Sequence, residues 1–340
     1  MNKEFNYKIN NWEDIAVDYI GGNLIIGNGS SIALHRKFDF ESLKKVAEDE
    51  KYFSPEIVQL FTVFETNDFE LILRLVWHAK LVNNHLGVVD TKTDNAYENI
   101  KTALINIVNE VHCEYSKIVD QLPQLYQFTK QFKTIVSLNY DLILYWTLMY
   151  GNRESDGHKF KDCFQSGGIF SSSWQNMREP IYHQKEVTLT FYQHGNLSIF
   201  RDINNSEIKL HSDGSDNLLN VITKQWTDEK IPLFVAEGTD TKKLESIKSS
   251  PYLTTIFYEV LPDLITQKAN LVIYGWSMGE QEKHLVTQIF KGKSLGKVAI
   301  STFDKKQEEC HRISMLINDI TSETKIEFFD SQSSGCWNNP

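Results

Sequence analysis

The 340-residue chain is poor in the features that mark several classes of protein. It has four cysteines, and none of them forms a C-x-x-C pair: Cys113, Cys163, Cys310 and Cys336. This spacing argues against a structural zinc site and gives little support to a disulfide framework. The net charge of −10 shows no excess of Lys and Arg, so no nucleic-acid partner is expected.

Long apolar runs are also missing. No run approaches the ~18 residues that a membrane span needs, and residues 1–4 hold no apolar signal segment. We therefore expect a cytoplasmic protein without a membrane partner. No histidines have the spacing of a metalloprotease helix, and no metal is expected. The hydrophobic fraction of 41% is sufficient for an ordinary core in one large α/β domain or two modest ones.

The most informative stretch is 23–31, near the start of the sequence. An apolar run at 24–26 is followed by Gly27-Asn28-Gly29 and then by a candidate helix at 30–35. This order predicts a buried strand, a tight turn and a helix N-terminus. Such a turn allows a ligand to approach the backbone, and phosphate is the usual ligand. A joint without any ligand also fits, because the third glycine of the common dinucleotide fingerprint is absent.

A helical block is expected at residues 40–130. Within it, Ile100, Leu104, Ile107 and Val111 recur at spacings of three and four, which is typical of an amphipathic helix. Another candidate helix includes 69–76, and residues 83–95 are predicted to form a turn. Because this block is long for a plain crossover between strands, we expect a helical insertion or cap after the first strand.

From residue 134 onward, the sequence alternates between strands and helices. The predicted strands are 134–138, 187–193, 233–236, 271–274, 298–301 and 326–329, and the predicted helices are 142–150, 218–226, 252–265, 281–290 and 307–318. Residues 151–186 are predicted to be irregular. The alternation predicts an α/β fold with a doubly wound, mostly parallel, Rossmann-like sheet in a single domain over residues 1–340.

Five of the predicted strands end in a cluster of polar residues or glycine. These clusters are Gly27-Asn28-Gly29-Ser30, Asn139-Tyr140-Asp141, His194-Gly195, Glu237-Gly238 and Gly275-Trp276-Ser277. Open parallel sheets bind ligands at the carboxyl ends of their strands, so we expect the clusters to meet at one rim. Each also has a simpler interpretation. Asn139 and Asp141 are ordinary helix-capping residues, and His194-Gly195 fits a structural turn.

Together these motifs resemble those of the sirtuin-like NAD-binding family, over most of the chain from Asn23 to Phe329. The residues Gly27-Asn28-Gly29-Ser30-Ser31 are similar to its first glycine-rich loop, Asn139-Tyr140-Asp141 to its Asn-x-Asp element, His194-Gly195 to its catalytic turn and Gly275-Trp276-Ser277 to its later Gly-x-Ser loop. The resemblance is closest to bacterial sirtuin-like proteins of antiphage defence. Sirtuins that deacylate proteins carry a zinc ribbon, and residues 196–217 contain no cysteine, so deacylation is not expected.

The resemblance implies an enzyme that cleaves NAD to nicotinamide and ADP-ribose. Asn139 is expected to orient the ribose hydroxyls or the water, and His194 to take up a proton. Asp141 is expected to accept from the nicotinamide amide or to favour the cationic transition state. The residues expected to contact NAD are Gly27, Asn28, Gly29, Ser30, Ser31, Glu237, Gly275, Trp276 and Ser277. For Glu237, a structural role as a strand-end acceptor fits equally well.

Two other functions fit the same motifs. A non-enzymatic sensor of NAD or ADP-ribose needs the glycine turns but not His194. An ADP-ribosyl transferase, or a producer of a nucleotide signal, uses the same cleavage with another acceptor. Because unrestrained loss of NAD is toxic, we also expect a homo-oligomer or an activating partner protein, with the helical block as the restraining contact.

Overall fold

The computed structural model describes residues 5–39, 42–202, 206–210, 222, 230–235, 239–292 and 295–340. Its centre is an eight-stranded parallel sheet, accompanied by a three-stranded antiparallel sheet. The strands are β1 (Ile9–Asn10), β2 (Asn23–Ile26), β3 (Thr134–Ser137), β4 (His158–Lys161), β5 (Glu186–Tyr192), β6 (Gly195–Asp202), β7 (Glu207–Lys209), β8 (Lys230–Phe234), β9 (Leu271–Tyr274), β10 (Lys297–Thr302) and β11 (Lys325–Asp330).

The order of strands in the large sheet is β1-β11-β10-β9-β2-β3-β5-β4. From β2 the chain builds one half of the sheet through β3, β4 and β5. It then returns to β9, on the other side of β2, and continues outward through β10 and β11. The direction of winding therefore reverses between β2 and β9, which pair in parallel from Asn23 opposite Leu271 to Ile26 opposite Tyr274. The prediction of a doubly wound, mostly parallel sheet is confirmed.

Helices flank the large sheet. They are α1 (Trp12–Ile15), α2 (Asn28–Ile32), α3 (Leu43–Asp49), α4 (Pro55–Val63), α5 (Phe69–His85), α6 (Thr91–Val111), α7 (Leu122–Thr129), α8 (Ile143–Arg153), α9 (Asp240–Lys248), α10 (Pro251–Thr255), α11 (Lys283–Phe290) and α12 (Gln307–Asn318). Short 3-10 turns join several of them. Among the described residues, no helix combines the length and the apolar character that crossing a membrane requires.

The helical block between β2 and β3 is confirmed and comprises α2 to α7. Its predicted turn at 83–95 is shorter in the structure, because α5 continues to His85 and α6 begins at Thr91. The side chain of Asp90 accepts hydrogen bonds from the backbone N–H groups of Lys92 and Thr93. This capping fixes the start of α6 several residues earlier than the apolar pattern indicates.

The central strands are buried along their whole length. All four residues of β2, of β3 and of β9 are buried, as expected where helices cover both faces of a parallel sheet. Near the start of the sequence, Trp12 and Tyr19 are buried, whereas Val17 is 79% exposed.

Four strands were not predicted: β1, β4, β6 and β7. The irregular stretch at 151–186 contains β4, an edge strand paired with β5. Residues 195–202 form β6, which pairs with β7 and β8 in the antiparallel sheet. The strand predicted at 233–236 is therefore β8 of this second sheet, not part of the parallel sheet. Gly195 makes the reversal between β5 and β6 possible: its φ is +74°, and a Cβ there would lie 2.0 Å from the oxygen of Leu233.

Three predicted helices differ from the structure. The helix predicted at 30–35 is α2, which is five residues long and begins at Asn28. The helix predicted at 252–265 starts as α10 and continues as a π-helical turn, Ile256–Val260, and a 3-10 turn, Leu261–Asp263. Pro262 lacks an N–H group and cannot continue the α-helical ladder. The helix predicted at 218–226 lies outside the described residues, except for Ile222. Helix α9 was not predicted.

Candidate functional site

The ends of four strands of the parallel sheet meet at a cavity of about 470 Å³. The residues that follow β2, β3, β5 and β9 line it together, so four of the five predicted clusters converge. The lining includes Gly27, Asn28, Gly29, Asn139, Asp141, His194, Gly275, Trp276 and Ser277. Ser30 and Ser31 are fully buried behind this wall. Glu237 lies outside the described residues, while Val235, just after β8, lines the cavity.

The two glycine loops at the switch point pack directly against each other. The N–H of Gly27 donates to the oxygen of Tyr274 at 2.9 Å, and that of Gly29 to the oxygen of Gly275 at 2.8 Å. A Cβ at position 27 would lie 2.7 Å from the Cα of Trp276, so this approach requires glycine. Because both donors are used inside the protein, they are not available to a pyrophosphate. Phosphate binding by the backbone of this turn stays a prediction, but it does not extend to the N–H groups of Gly27 and Gly29.

Asn139 joins the loops after β2 and β3. Its Nδ2 donates to the backbone oxygen of Gly27 at 3.1 Å and lies 3.0 Å from the hydroxyls of both Ser30 and Ser31. Because a carbonyl oxygen can only accept, the Gly27 contact fixes the orientation of the amide. The other amide atom, Oδ1, is buried and has no hydrogen-bond partner in the described structure.

Asp141 uses both carboxylate oxygens inside the protein. Oδ2 accepts from the hydroxyl of Ser31, and Oδ1 accepts from the backbone N–H of Ile143 at 2.8 Å, at the start of α8. Burial raises the pKa of Asp141 to about 6, against the opposing effect of these two hydrogen bonds. The second bond supports the start of α8, although the N-cap residue is Leu142 and not Asn139 or Asp141. Contact between Asp141 and a ligand stays a prediction.

His194 presents an uncharged ring to the cavity. Its Nδ1 lies 2.9 Å from the oxygen of Leu138, and because that oxygen only accepts, Nδ1 carries the proton. Nε2 is therefore free of a proton, and it is buried without a hydrogen-bond partner in the described structure. Burial, followed by the positive charge of Lys243, lowers the pKa of His194 to about 4. The ring is neutral at pH 7.

A pair of oppositely charged residues in the cavity wall was not predicted. Lys243 on α9 and Glu282, just before α11, both line the cavity, and Lys243 Nζ lies 3.3 Å from Glu282 Oε1. The indole N–H of Trp276 donates to the other oxygen of Glu282. No local signal marks this pair, because lysine and glutamate on helices are mostly exposed. Among the described lining residues, Lys243 is the one Lys or Arg.

The helical block contributes a further wall of the cavity. Val108, Val111 and His112, at the end of α6, line it. The Nε2 of His112 accepts from the backbone N–H of Leu142 at 3.0 Å, and Nδ1 lies 2.7 Å from the oxygen of Cys113. With both nitrogens engaged, His112 is a structural residue. It ties the helical block to the start of α8.

The opposite end of the cavity lies beyond β10. There Phe303, which is 55% exposed, and Glu309 on α12 line the opening. Ser301 also lines it, and its hydroxyl accepts from the N–H of Gly275 at 2.9 Å. Within the described ranges, no three His, Cys, Asp or Glu side chains are grouped so that they could hold a metal ion. The four cysteines are buried and unpaired.

Fold and cavity together define an α/β protein with a parallel sheet and a polar cavity at its topological switch point. Residues 24–337 match the model of a family described as a domain of unknown function, DUF4917, and the chain therefore belongs to this family. No curated protein matches the chain.

Proposed function

We propose that the chain is an NAD-cleaving hydrolase that releases nicotinamide and ADP-ribose. One observation carries the proposal: Asn139 Oδ1 and His194 Nε2 are both buried acceptors without a partner, on two residues of the same cavity. Buried polar atoms almost always have a hydrogen-bond partner. A ligand with adjacent hydroxyl groups, such as the ribose of NAD, supplies the two donors that these acceptors need.

The place and size of the cavity support the same ligand. Doubly wound sheets bind nucleotides at the point where the winding reverses, which here is between β2 and β9. The volume of about 470 Å³ is within the range of small-molecule sites. The resemblance to sirtuin-like motifs points to NAD, and it extends the proposal to an effector of bacterial antiphage defence that acts in the cytoplasm with a homo-oligomer or an activating partner.

The chemistry follows from the two acceptors. Departure of nicotinamide takes the electrons of the glycosidic bond and leaves positive charge on the ribose, as in glycoside hydrolysis. The oxygen of a water molecule then forms the new bond to that carbon. His194 Nε2 accepts the proton that the water or a ribose hydroxyl gives up. Asn139 Oδ1 holds a hydroxyl in place, while its Nδ2 is fixed by Gly27.

A second candidate function is a sensor that binds NAD or ADP-ribose without cleaving it. It is favoured by the low pKa of His194, about 4, because a base of that strength is weak at neutral pH. A sensor still uses Nε2 as a hydrogen-bond acceptor. The two functions therefore differ in whether nicotinamide is formed, not in where the ligand binds.

The test is nicotinamide release from NAD, followed by chromatography, in the wild type, Asn139→Ala and His194→Ala. His183→Ala changes an exposed histidine and is the control. The proposal predicts release by the wild type and the control, with a loss of at least about 100-fold in the other two variants. Unchanged release in His194→Ala contradicts it. Binding of NAD without nicotinamide under every condition favours the sensor, and mass spectrometry of the products distinguishes hydrolysis from transfer.

A further inference from the structure

The cavity wall next to His194 holds a buried ion pair that the proposed chemistry does not yet use. Lys243 Nζ and Glu282 Oε1 are 3.3 Å apart, and their side chains are only 6% and 13% exposed. Removing two charges from water is costly, and a buried pair often contributes little to stability compared with apolar residues of similar volume. We therefore expect this pair to have a role in the site and not only in stability.

The pair connects three parts of the wall. Lys243 comes from α9, Glu282 precedes α11, and Trp276 belongs to the glycine loop after β9. Glu282 binds the other two residues at once, through one carboxylate oxygen each. Its position is thus fixed from two sides. The burial of Glu282 opposes its negative charge, but the contacts with Lys243 and the Trp276 indole lower its pKa, so it remains ionised.

His194 lies within electrostatic reach of both members of the pair. After burial, the positive charge of Lys243 is the largest influence on its pKa and lowers it, whereas the negative charge of Glu282 raises it. His284 on α11 lowers it as well. The Nδ1 of His284 lies 2.6 Å from Asp240 Oδ1, and that contact sets the position of its ring. Lys243, Glu282 and His284 are the charged and titratable groups with the largest effects on His194.

We propose that Lys243 and Glu282 are positioning residues of this site: their ion pair holds the loop of Trp276 in place and sets two opposite charges in the cavity wall beside His194. Only the part that His194 plays in cleaving NAD depends on the proposed function. The effect of the two charges on the titration of His194 does not depend on whether NAD is cleaved. Neither residue needs to touch the ligand for this role.

The two members of the pair act on His194 with opposite signs, which gives a sharp test. In Lys243→Met the cation is lost and Glu282 remains, so the pH at which His194 titrates rises by about 1 unit. In Glu282→Gln the cation remains without its partner, so the titration of His194 moves further down. Both titrations are followed by NMR of isotope-labelled histidine in the full chain without NAD.

Two further variants complete the experiment. Lys242→Met removes the exposed neighbouring lysine on α9 and is expected to leave the titration of His194 unchanged. Lys243→Arg keeps the charge and is expected to restore a titration close to that of the wild type. Shifts of Lys243→Met and Glu282→Gln in the same direction, or no shift in folded protein, overturn the proposal. Because NAD is absent, this outcome is separate from a failure of the NAD-cleavage assay.

Discussion

The indole N–H of Trp337 donates to the backbone oxygen of Ser30 at 2.8 Å. Trp337 lies near the end of the chain and is fully buried, with its ring 5.6 Å from that of Tyr274. The hydroxyl of Ser30 lies in turn 3.0 Å from Asn139 Nδ2. The C-terminal segment thus supports the helix that follows the first glycine loop, and through it one of the two residues on which the proposed function depends.

Replacing Trp337 by Phe tests this support. The variant keeps an aromatic ring but leaves the oxygen of Ser30 without its donor, so we expect a loss of about 1–3 kcal/mol in the free energy of unfolding. We also expect weaker binding of NAD. Urea denaturation and titration calorimetry measure the two effects.

Trp174→Phe is the matched control for this variant. Its indole N–H also makes one hydrogen bond, to Glu259 at 3.0 Å, but Trp174 does not line the cavity. We expect a smaller loss of stability, because Glu259 is exposed and water can replace the lost donor, and no change in affinity for NAD. Equal affinity in both variants shows that Trp337 does not support the site.

The contact between the two glycine loops predicts the effect of Gly27→Ala. The new Cβ would lie 2.7 Å from the Cα of Trp276 and 2.8 Å from the oxygen of Gly275, so the loops must separate. We expect a loss of about 1–3 kcal/mol in the free energy of unfolding, together with impaired NAD binding. Both are measured as for Trp337→Phe.

Gly87→Ala separates steric contact from backbone strain. Gly87 has a φ of +70° and nothing within 4 Å of an added Cβ, so its replacement costs about 1 kcal/mol from the backbone alone. It lies in the turn between α5 and α6. If Gly27→Ala lowers the free energy of unfolding no more than Gly87→Ala does, the two glycine loops are not packed as described.

A buried cluster away from the cavity predicts how stability depends on pH. Burial raises the pKa of Glu70 to about 7, although Arg74 and Arg201 lie near it. The folded-state pKa of Glu70 is above the ordinary value of 4.5, so the folded protein binds this proton more tightly than the unfolded chain does. The resulting contribution to the free energy of unfolding is complete below about pH 4.5 and is lost as the pH rises to about 7. Glu70→Gln removes this dependence.

We therefore expect the difference in the free energy of unfolding between Glu70→Gln and the wild type to change between pH 5 and pH 8. The change favours the variant at pH 8 by on the order of 1–3 kcal/mol. Denaturant unfolding at the two pH values measures it. Glu98→Gln removes an exposed carboxylate from the neighbouring helix α6 and controls for net charge. If the difference in the free energy of unfolding between Glu70→Gln and the wild type is the same at pH 5 and pH 8, the raised pKa of Glu70 is contradicted.

The sequence allowed the central strands to be predicted because burial on both faces leaves continuous apolar runs. Leu271–Tyr274 is an example, with the same bounds in prediction and structure. It did not reveal β4 or β6. In β6 the polar residues Asn196 and Ser198 are buried and bonded to each other, so the polarity that suggests a loop is satisfied inside the protein. Such burial depends on distant segments and leaves no local pattern.

The same distinction holds for the site. Asn139 and His194 directly follow strands, and the rule for parallel sheets predicts that they meet. Lys243 and Glu282 come from segments whose contact depends on how α9 and α11 pack. Sequence spacing contains no information on that packing, and for the same reason it did not show that Asp141 accepts hydrogen bonds from Ser31 and Ile143.

The central claim is that the cavity binds NAD through Asn139 and His194, and calorimetric titration tests it most directly. ADP-ribose, which keeps the ribose hydroxyls and cannot be cleaved to nicotinamide, is titrated beside NAD. The account predicts binding of one molecule per cavity in the wild type. It also predicts a loss of affinity of at least about tenfold in Asn139→Asp, where an acceptor would face the oxygen of Gly27. Absence of binding of both ligands to folded wild-type protein, or equal affinity in Asn139→Asp, would contradict the account.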